Sequence, residues 1–321
     1  RNSASSAGVL GGHGGGLYIE RGAPVVRHCE FRGNFGESSG GGLICAYTRA
    51  IIENLHIEAN SGFGGAGGIG LGEFHGEVSN CDILGNHADD GSGGGIIIAG
   101  GSAVLRDCRV EDNVSRHGGT IDVFGGMTEL IGLTIRGNGP LMQFGGGGVT
   151  CESGTVVCRR CVISNNSASA GGGLNSRVGG IIRAERCTIA GNYASDGGGI
   201  VVTQGKVQLH QCVLFGNSSP RGPDAQVSPN GFLELSDCLA DTSRFRVVGT
   251  LTMTGSIVPD DPRFCAPSRE RTIAPDERSL SAPARFGDYR LAADSPARRP
   301  DGTVWGALSD SCGSTPIGSP E

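Results

Sequence analysis

Residues Cys187–Val202 read CTIAGNYASDGGGIVV. A cysteine is followed five residues later by Asn192, then by Gly197, Gly198 and Gly199, and then by branched aliphatics. Neither a helix nor a two-residue hairpin calls for that order. The same order recurs along the chain with a period of about 26 residues, and that recurrence decides the fold.

With the cysteine as column zero, the aligned positions are Cys29, Leu55, Cys81, Cys108, Leu133, Cys161, Cys187, Cys212 and Cys238. Five residues on stand Asn34, Asn60, Asn86, Asn113, Asn138, Asn166, Asn192 and Asn217. Two residues on stand Phe31, Ile57, Ile83, Val110, Ile135, Ile163, Ile189 and Leu214, and a further column, mostly aliphatic, lies three residues before zero. After each Asn come a variable stretch, a glycine run and an aliphatic residue such as Leu43, Ile69, Leu174 or Ile200.

Within each unit the apolar residues sit in short, often alternating runs, which is strand periodicity, and no segment sustains a helical i, i+3, i+4 pattern. A unit this small cannot bury its apolar face alone, so copies must stack. Columns −3 and 0 are both apolar yet an odd number apart, so one straight strand would put them on opposite faces. The chain therefore bends between them, at residues such as Asn54, Asn80 and Asp107 that tolerate a bend. The asparagines sit at the next corner, bonding neighbouring rungs. The glycines allow positive φ and close approach at the third corner.

This pattern resembles right-handed parallel β-helix proteins of the bacterial secreted and surface type, and polymorphic outer-membrane-protein repeats. The resemblance covers roughly residues 1–258 and implies an all-β, right-handed, single-stranded parallel β-helix of about nine coils. The chain starts in mid-coil, because Asn2–Ser5 aligns with Asn166–Ser169; upstream sequence is expected to be missing, and self-association through an uncapped first coil is possible on that reading. From 259 the repeat stops. The stretches DPRF (261–264), GDYRLAADSPA (287–297) and WGALSDSCG (305–313) are similar to the closing segment of choice-of-anchor proteins. Many of those carry Ile-Asp after SPA, where Arg298 and Arg299 stand here. Residues 259–313 are thus expected to cap the core, and 314–321 to form a flexible tail.

Composition narrows the function. The 321 residues include 59 glycines, in runs that exclude collagen, and the net charge of −6 argues against nucleic acid as a partner. No apolar run reaches the roughly 18 residues of a membrane span. The 12 cysteines are too sparse for a disulfide scaffold.

Cys29, Cys81, Cys108, Cys161, Cys187, Cys212 and Cys238 form a structural column of buried thiols; Leu55 and Leu133 share it, which fits packing and not metal ligation. Cys158 and Cys161 spell C-R-R-C, but their spacing follows from core columns −3 and 0, with a disulfide within the coil as the alternative. Cys45 and Cys151 stand four coils apart, too far to bridge. Cys265 and Cys312 flank the closing segment and are a candidate disulfide, stabilising by up to about 4 kcal/mol in an oxidising compartment. No metal or cofactor is expected: the acids at 87–91 and 193–197 lie four coils apart, and the histidines share no column.

Outward positions after the glycine runs give one catalytic candidate set, Asp122, Glu152 and Arg177, an acid, an acid and a base suited to general acid–base work on a sugar polymer. Tyr18, Tyr47 and Tyr193 fall on widely separated coils, so no aromatic platform is expected. The reading is a non-enzymatic secreted or cell-surface scaffold, with an extracellular polysaccharide or another surface protein as partner. The alternative is a polysaccharide lyase or glycoside hydrolase.

Overall fold

The computed structural model describes residues 3–4, 14–37, 40–140, 146–266, 288–299, 301 and 303–307. Successive coils pair in parallel, each strand with its counterpart one repeat away. On the first face Leu17 stands beside Leu43, Leu43 beside Ile69 and Ile69 beside Ile96; further along, Ile121 stands beside Val149 and Val149 beside Leu174. The second face registers Val26 with Ile52, Ile52 with Val78 and Val78 with Leu105, and the third Phe31 with Ile57 and Ile57 with Ile83. A narrower fourth ladder of two-residue strands runs from Ser3–Ala4 to Gly139–Pro140. The result is an all-β parallel solenoid. Among the described residues its one helical element is the 3-10 turn Thr242–Arg244, and no helix is long and apolar enough to cross a membrane.

One continuous core runs up the middle, built from the inward columns of all three faces. The bends between faces are set by backbone conformation. The residue before column zero is left-handed in coil after coil, at His28, Asn54, Asn80, Asp107, Arg160, Arg186, Gln211 and Asp237, with φ of 49 to 55° among them. The residue before each Asn does the same, at Gly33, Ala59, Gly85, Asp112, Gly137, Asn165, Gly191 and Gly216. Arginine, glutamine and alanine have no preference for that region. The stacked coils therefore impose the bend over local propensity.

The glycine runs work mainly by close approach. In Gly171–Gly173 only Gly171 has positive φ (64°), while a Cβ on Gly173 would lie 2.7 Å from the Gly199 carbonyl oxygen and 2.8 Å from Ile189 Cγ2. At this corner neighbouring rungs touch backbone to backbone, and a methyl group would part them.

The described parts of 259–313 do not lie over the end of the core. They run back along the outside of the third face. Phe264–Ala266 pairs antiparallel with Asp288–Leu291, and Phe264 meets Phe215 and Tyr289 edge-on with ring centroids 6.3 and 5.0 Å away. Tyr289 Oη donates to Asn165 Oδ1 (3.0 Å), the Ala307 N–H to Thr188 Oγ1 (3.0 Å) and the Gly306 N–H to the Gln211 carbonyl (2.9 Å). With Trp305, Leu291 and Ala297, this strap covers Ala190, Val213 and Leu239. The outward residues explain the placement. On the early coils the third face carries Glu30, Arg32, His56, Glu58, Asp82, Arg109 and Glu111; from Val162 onward it carries Ser164, Thr188, Ala190, Val213, Phe215 and Leu239. A charged face becomes an apolar one, and burying it favours a cover. Arg298, where the similar segments carry Ile-Asp, donates to the Leu291 and Ala292 carbonyls at 3.1 Å each, and Arg299 stacks 4.6 Å over the Trp305 ring. Residues 267–287 and 308–321 lie outside the described residues.

Candidate functional site

The asparagines of column +5 form one buried hydrogen-bonded file. From Asn34 to Asn192, each Asn directs its backbone N–H and its Nδ2 to the Oδ1 of the next, at 2.8–3.2 Å. From Asn60 on, Nδ2 also donates to the carbonyl of the apolar residue at column +2 one coil earlier, as Asn60 does to Phe31 (2.8 Å) and Asn192 to Ile163 (2.9 Å). The Asn N–H is the backbone group that the corner removes from the sheet ladder, and a buried group of that kind requires a partner. The file ends on a residue the period alone did not disclose. Asp224 takes the next place, accepting from Asn217 N (3.1 Å) and Nδ2 (2.9 Å), and Arg244 pairs with it while donating to the Asn217 carbonyl at 2.6 Å. A terminal acceptor that need donate nothing suits a carboxylate, and the guanidinium offsets its charge.

The cysteines of column zero do the matching work at the other corner. The Cys161 N–H points at Cys187 Sγ (3.5 Å) and the Cys187 N–H at Cys212 Sγ (3.4 Å). Each thiol reaches back to a carbonyl of the preceding coil, Cys187 to Cys158 and Cys212 to Ala184. They are therefore corner hydrogen-bonding groups as well as apolar filler. Cys81, Cys108, Cys161, Cys187, Cys212 and Cys238 are buried, and the ten cysteines described are all free, Cys158 and Cys161 included. Burial pushes the Cys45 and Cys151 thiols up to about 12 and about 11, so neither ionises near neutrality. Cys29 departs from the expected column. It is exposed on the first coil of the described stack, its thiol reaching across its own bend to the Arg27 carbonyl. The candidate Cys265–Cys312 bond lies outside the described side chains.

Asp122, Glu152 and Arg177 stand on successive coils of the first face, in the strands Ile121–Phe124, Val149–Glu152 and Leu174–Arg177. The structure brings them together, but not as an open acid–base set. Glu152 registers with Arg177, and the two form an ion pair. Asp122 lies one row in, beside Thr150 and in line with Asn175. It is completely buried although it points away from the core. Its cover is the preceding loop: a Cβ on Gly118 would collide with Asp122 Oδ2 and with Ser92. Neither carboxylate oxygen has a hydrogen-bond partner, and Thr150 Oγ1 beside it lacks one too. Burial pushes the Asp122 carboxyl up to about 7, against the pull of Arg177 and with a further push from Glu152. A raised carboxyl next to an ion pair is the chemistry of a general acid, but a group sealed from solvent cannot touch a polymer.

Elsewhere the outward charges pair along the axis. Arg109 joins Asp82 (3.2 Å), Arg136 joins Glu111 (3.0 Å), Arg159 joins Glu129 (2.6 Å) and Lys206 joins Glu234 (3.1 Å). Among the described residues no group of three or more His, Cys, Asp or Glu side chains is placed to hold a metal ion. An open depression of about 670 Å³, lined by Arg32, Gly33, Glu58 and Ala59, holds an Arg32–Glu58 ion pair. Tyr18 and Tyr47, contrary to their expected wide separation, occupy adjacent coils, and both are exposed. A family model described as right handed beta helix region matches residues 3–115 and 67–237. No curated protein and no solved structure matches the chain.

Proposed function

Because the chain belongs to the right-handed β-helix family, we propose a non-enzymatic scaffold, secreted or displayed on a bacterial cell surface, that offers long lateral faces to an extracellular polysaccharide or another surface protein. One observation carries this reading: the polar groups of the faces are engaged with one another along the stack, Glu152 with Arg177 among them, while Asp122 is sealed. Catalysis instead calls for groups converging on a shared, accessible point. The exposed rings of Tyr18 and Tyr47, on adjacent coils, are those on which a glycan would stack.

The alternative, a polysaccharide lyase or hydrolase, draws on the raised Asp122 carboxyl beside Glu152 and Arg177. A screen of mixed extracellular polysaccharides for reducing ends and unsaturated products separates the two. The scaffold reading expects no turnover. Turnover abolished by Glu152→Ala would establish the alternative, and turnover indifferent to Asp122→Ala and Glu152→Ala would place an enzyme site elsewhere on the chain.

A further inference from the structure

Asp122 is a carboxyl group with no solvent exposure and no hydrogen-bond partner, and the scaffold reading gives it no role. An ionised carboxylate in such a place carries a desolvation cost that the attraction of Arg177 only partly offsets. Arg177 is already joined to Glu152 one row out. The Ser92 hydroxyl and the Gly119 N–H lie beside the carboxyl, short of hydrogen-bond geometry. We propose that Asp122 is a proton-operated latch: neutral, it lets the 116–120 loop close over the first face, and ionised, it drives that loop open.

The loop is suited to opening. Its ends are anchored by the Arg116 N–H to the Ala88 carbonyl (3.2 Å) and the Thr120 N–H to the Gly147 carbonyl (2.9 Å), while its middle is held by Ser115 Oγ to the Gly118 carbonyl (2.7 Å), the His117 N–H to the Gly91 carbonyl (3.3 Å) and the Gly93 N–H to the Gly119 carbonyl (3.0 Å). Gly118 and Gly119 lie directly over the polar pair Asp122 and Thr150. Charged groups come from three sides. Glu152 on the next coil disfavours ionisation and Arg177 on the one after favours it; on the covering loops Arg116 and His117 pair with Asp90 in solvent.

The sign follows from linkage. With its folded value raised to about 7 from the ordinary aspartate value of 3.8, the folded state holds a proton that the unfolded state has released across that interval. Stability contributed by Asp122 is therefore fully present at the acid end, is lost as pH rises through about 7, and stays lost above.

The test compares denaturant unfolding of the wild type with Asp122→Asn between pH 5 and 9, with His117→Gln as a control for the exposed imidazole. The expected result is a variant that gains on the wild type as pH rises to about 7, with a constant lead beyond it, while His117→Gln keeps the wild-type profile. Amide exchange over 116–120, corrected for intrinsic rates, should show the wild-type loop opening more often at pH 8 than at pH 5. Carbon-13 NMR of the Asp122 carboxyl in the wild type reads its titration directly, so the proposal stands or falls even if the variant does not fold. A stability difference independent of pH, or a carboxyl that titrates near 4, overturns it. So does rescue of the wild type at pH 8 by added sodium or calcium ions with no effect on Asp122→Asn, which would make the niche a cation site.

Discussion

Truncating one rung of the asparagine file should destabilise the protein far more than an ordinary polar substitution. Asn192 is fully buried. Its Oδ1 accepts from the backbone and the side chain of Asn166, both at 3.0 Å, and its Nδ2 donates to the Ile163 carbonyl at 2.9 Å and to Asn217 Oδ1 at 3.0 Å. Asn192→Ala leaves the Asn166 N–H and one Asn166 amide hydrogen without partners, while the Ile163 carbonyl keeps its place in the parallel ladder with Thr188–Ala190. Asn217 Oδ1 keeps the backbone donor of residue 192. An orphaned buried group costs about 1–3 kcal/mol, so two of them should cost about 2–6 kcal/mol, a large part of the roughly 5–15 kcal/mol that holds a domain folded. Urea unfolding followed by far-ultraviolet circular dichroism measures it. Because each coil touches only its neighbours, amide-exchange protection should fall first around residues 163–217 and stay near wild type around 43–110. Asn192→Asp is the informative comparison, since it keeps the acceptor but has no counterpart of Arg244 beside it; it should lose stability further as pH rises. A loss below about 1 kcal/mol for Asn192→Ala, or protection lost evenly along the stack, would refute the reasoning.

Arg244→Ala should cost about 3–5 kcal/mol by leaving Asp224 buried and unpaired, and Asp224→Asn in the same chain should recover much of it, as read by urea midpoints. Thiol alkylation mapped by peptide mass spectrometry should label Cys29 in the native protein, while Cys161, Cys187, Cys212 and Cys238 label only after denaturation. Trp305→Ala should cost about 3–5 kcal/mol in strap docking, and limited proteolysis should then cut within 259–307 while the stack up to residue 258 survives intact.

The inward columns were legible because stacking makes every coil repeat the same demands: Ile52, Val78 and Leu105 share a column as Asn60, Asn86 and Asn113 do, and all are buried. What escaped the sequence lay outside the columns. Parity says that Asp122 points outward, but not that Ser92 and Gly118 fold over it. Cys29 has the register of a buried thiol yet is exposed on the first coil of the described stack. The bends at Arg160, Arg186 and Gln211 follow from tertiary context, since none of those residues prefers the left-handed region. The leucines at 55 and 133 suggested thiols that only pack, and so hid their hydrogen bonds to neighbouring rungs. The strap did leave a signal, in the shift from Glu58, Asp82 and Arg109 to Thr188, Ala190 and Val213 on the third face, but reading it requires the outward positions. Asp224 broke the asparagine spacing, standing only seven residues after Asn217, so no period could find it.

The stacking itself is best tested with paired spin labels on one outward row, in a background with Cys29, Cys265 and Cys312 changed to Ser. Positions 53 and 159 are four rungs apart through 79, 106 and 131, and position 210 lies two rungs further, through 185. At the usual spacing of about 4.8 Å per rung, electron–electron distances should centre near ~19 Å for 53 with 159 and ~29 Å for 53 with 210. Separations that fail to lengthen in proportion to the number of intervening coils would contradict the account.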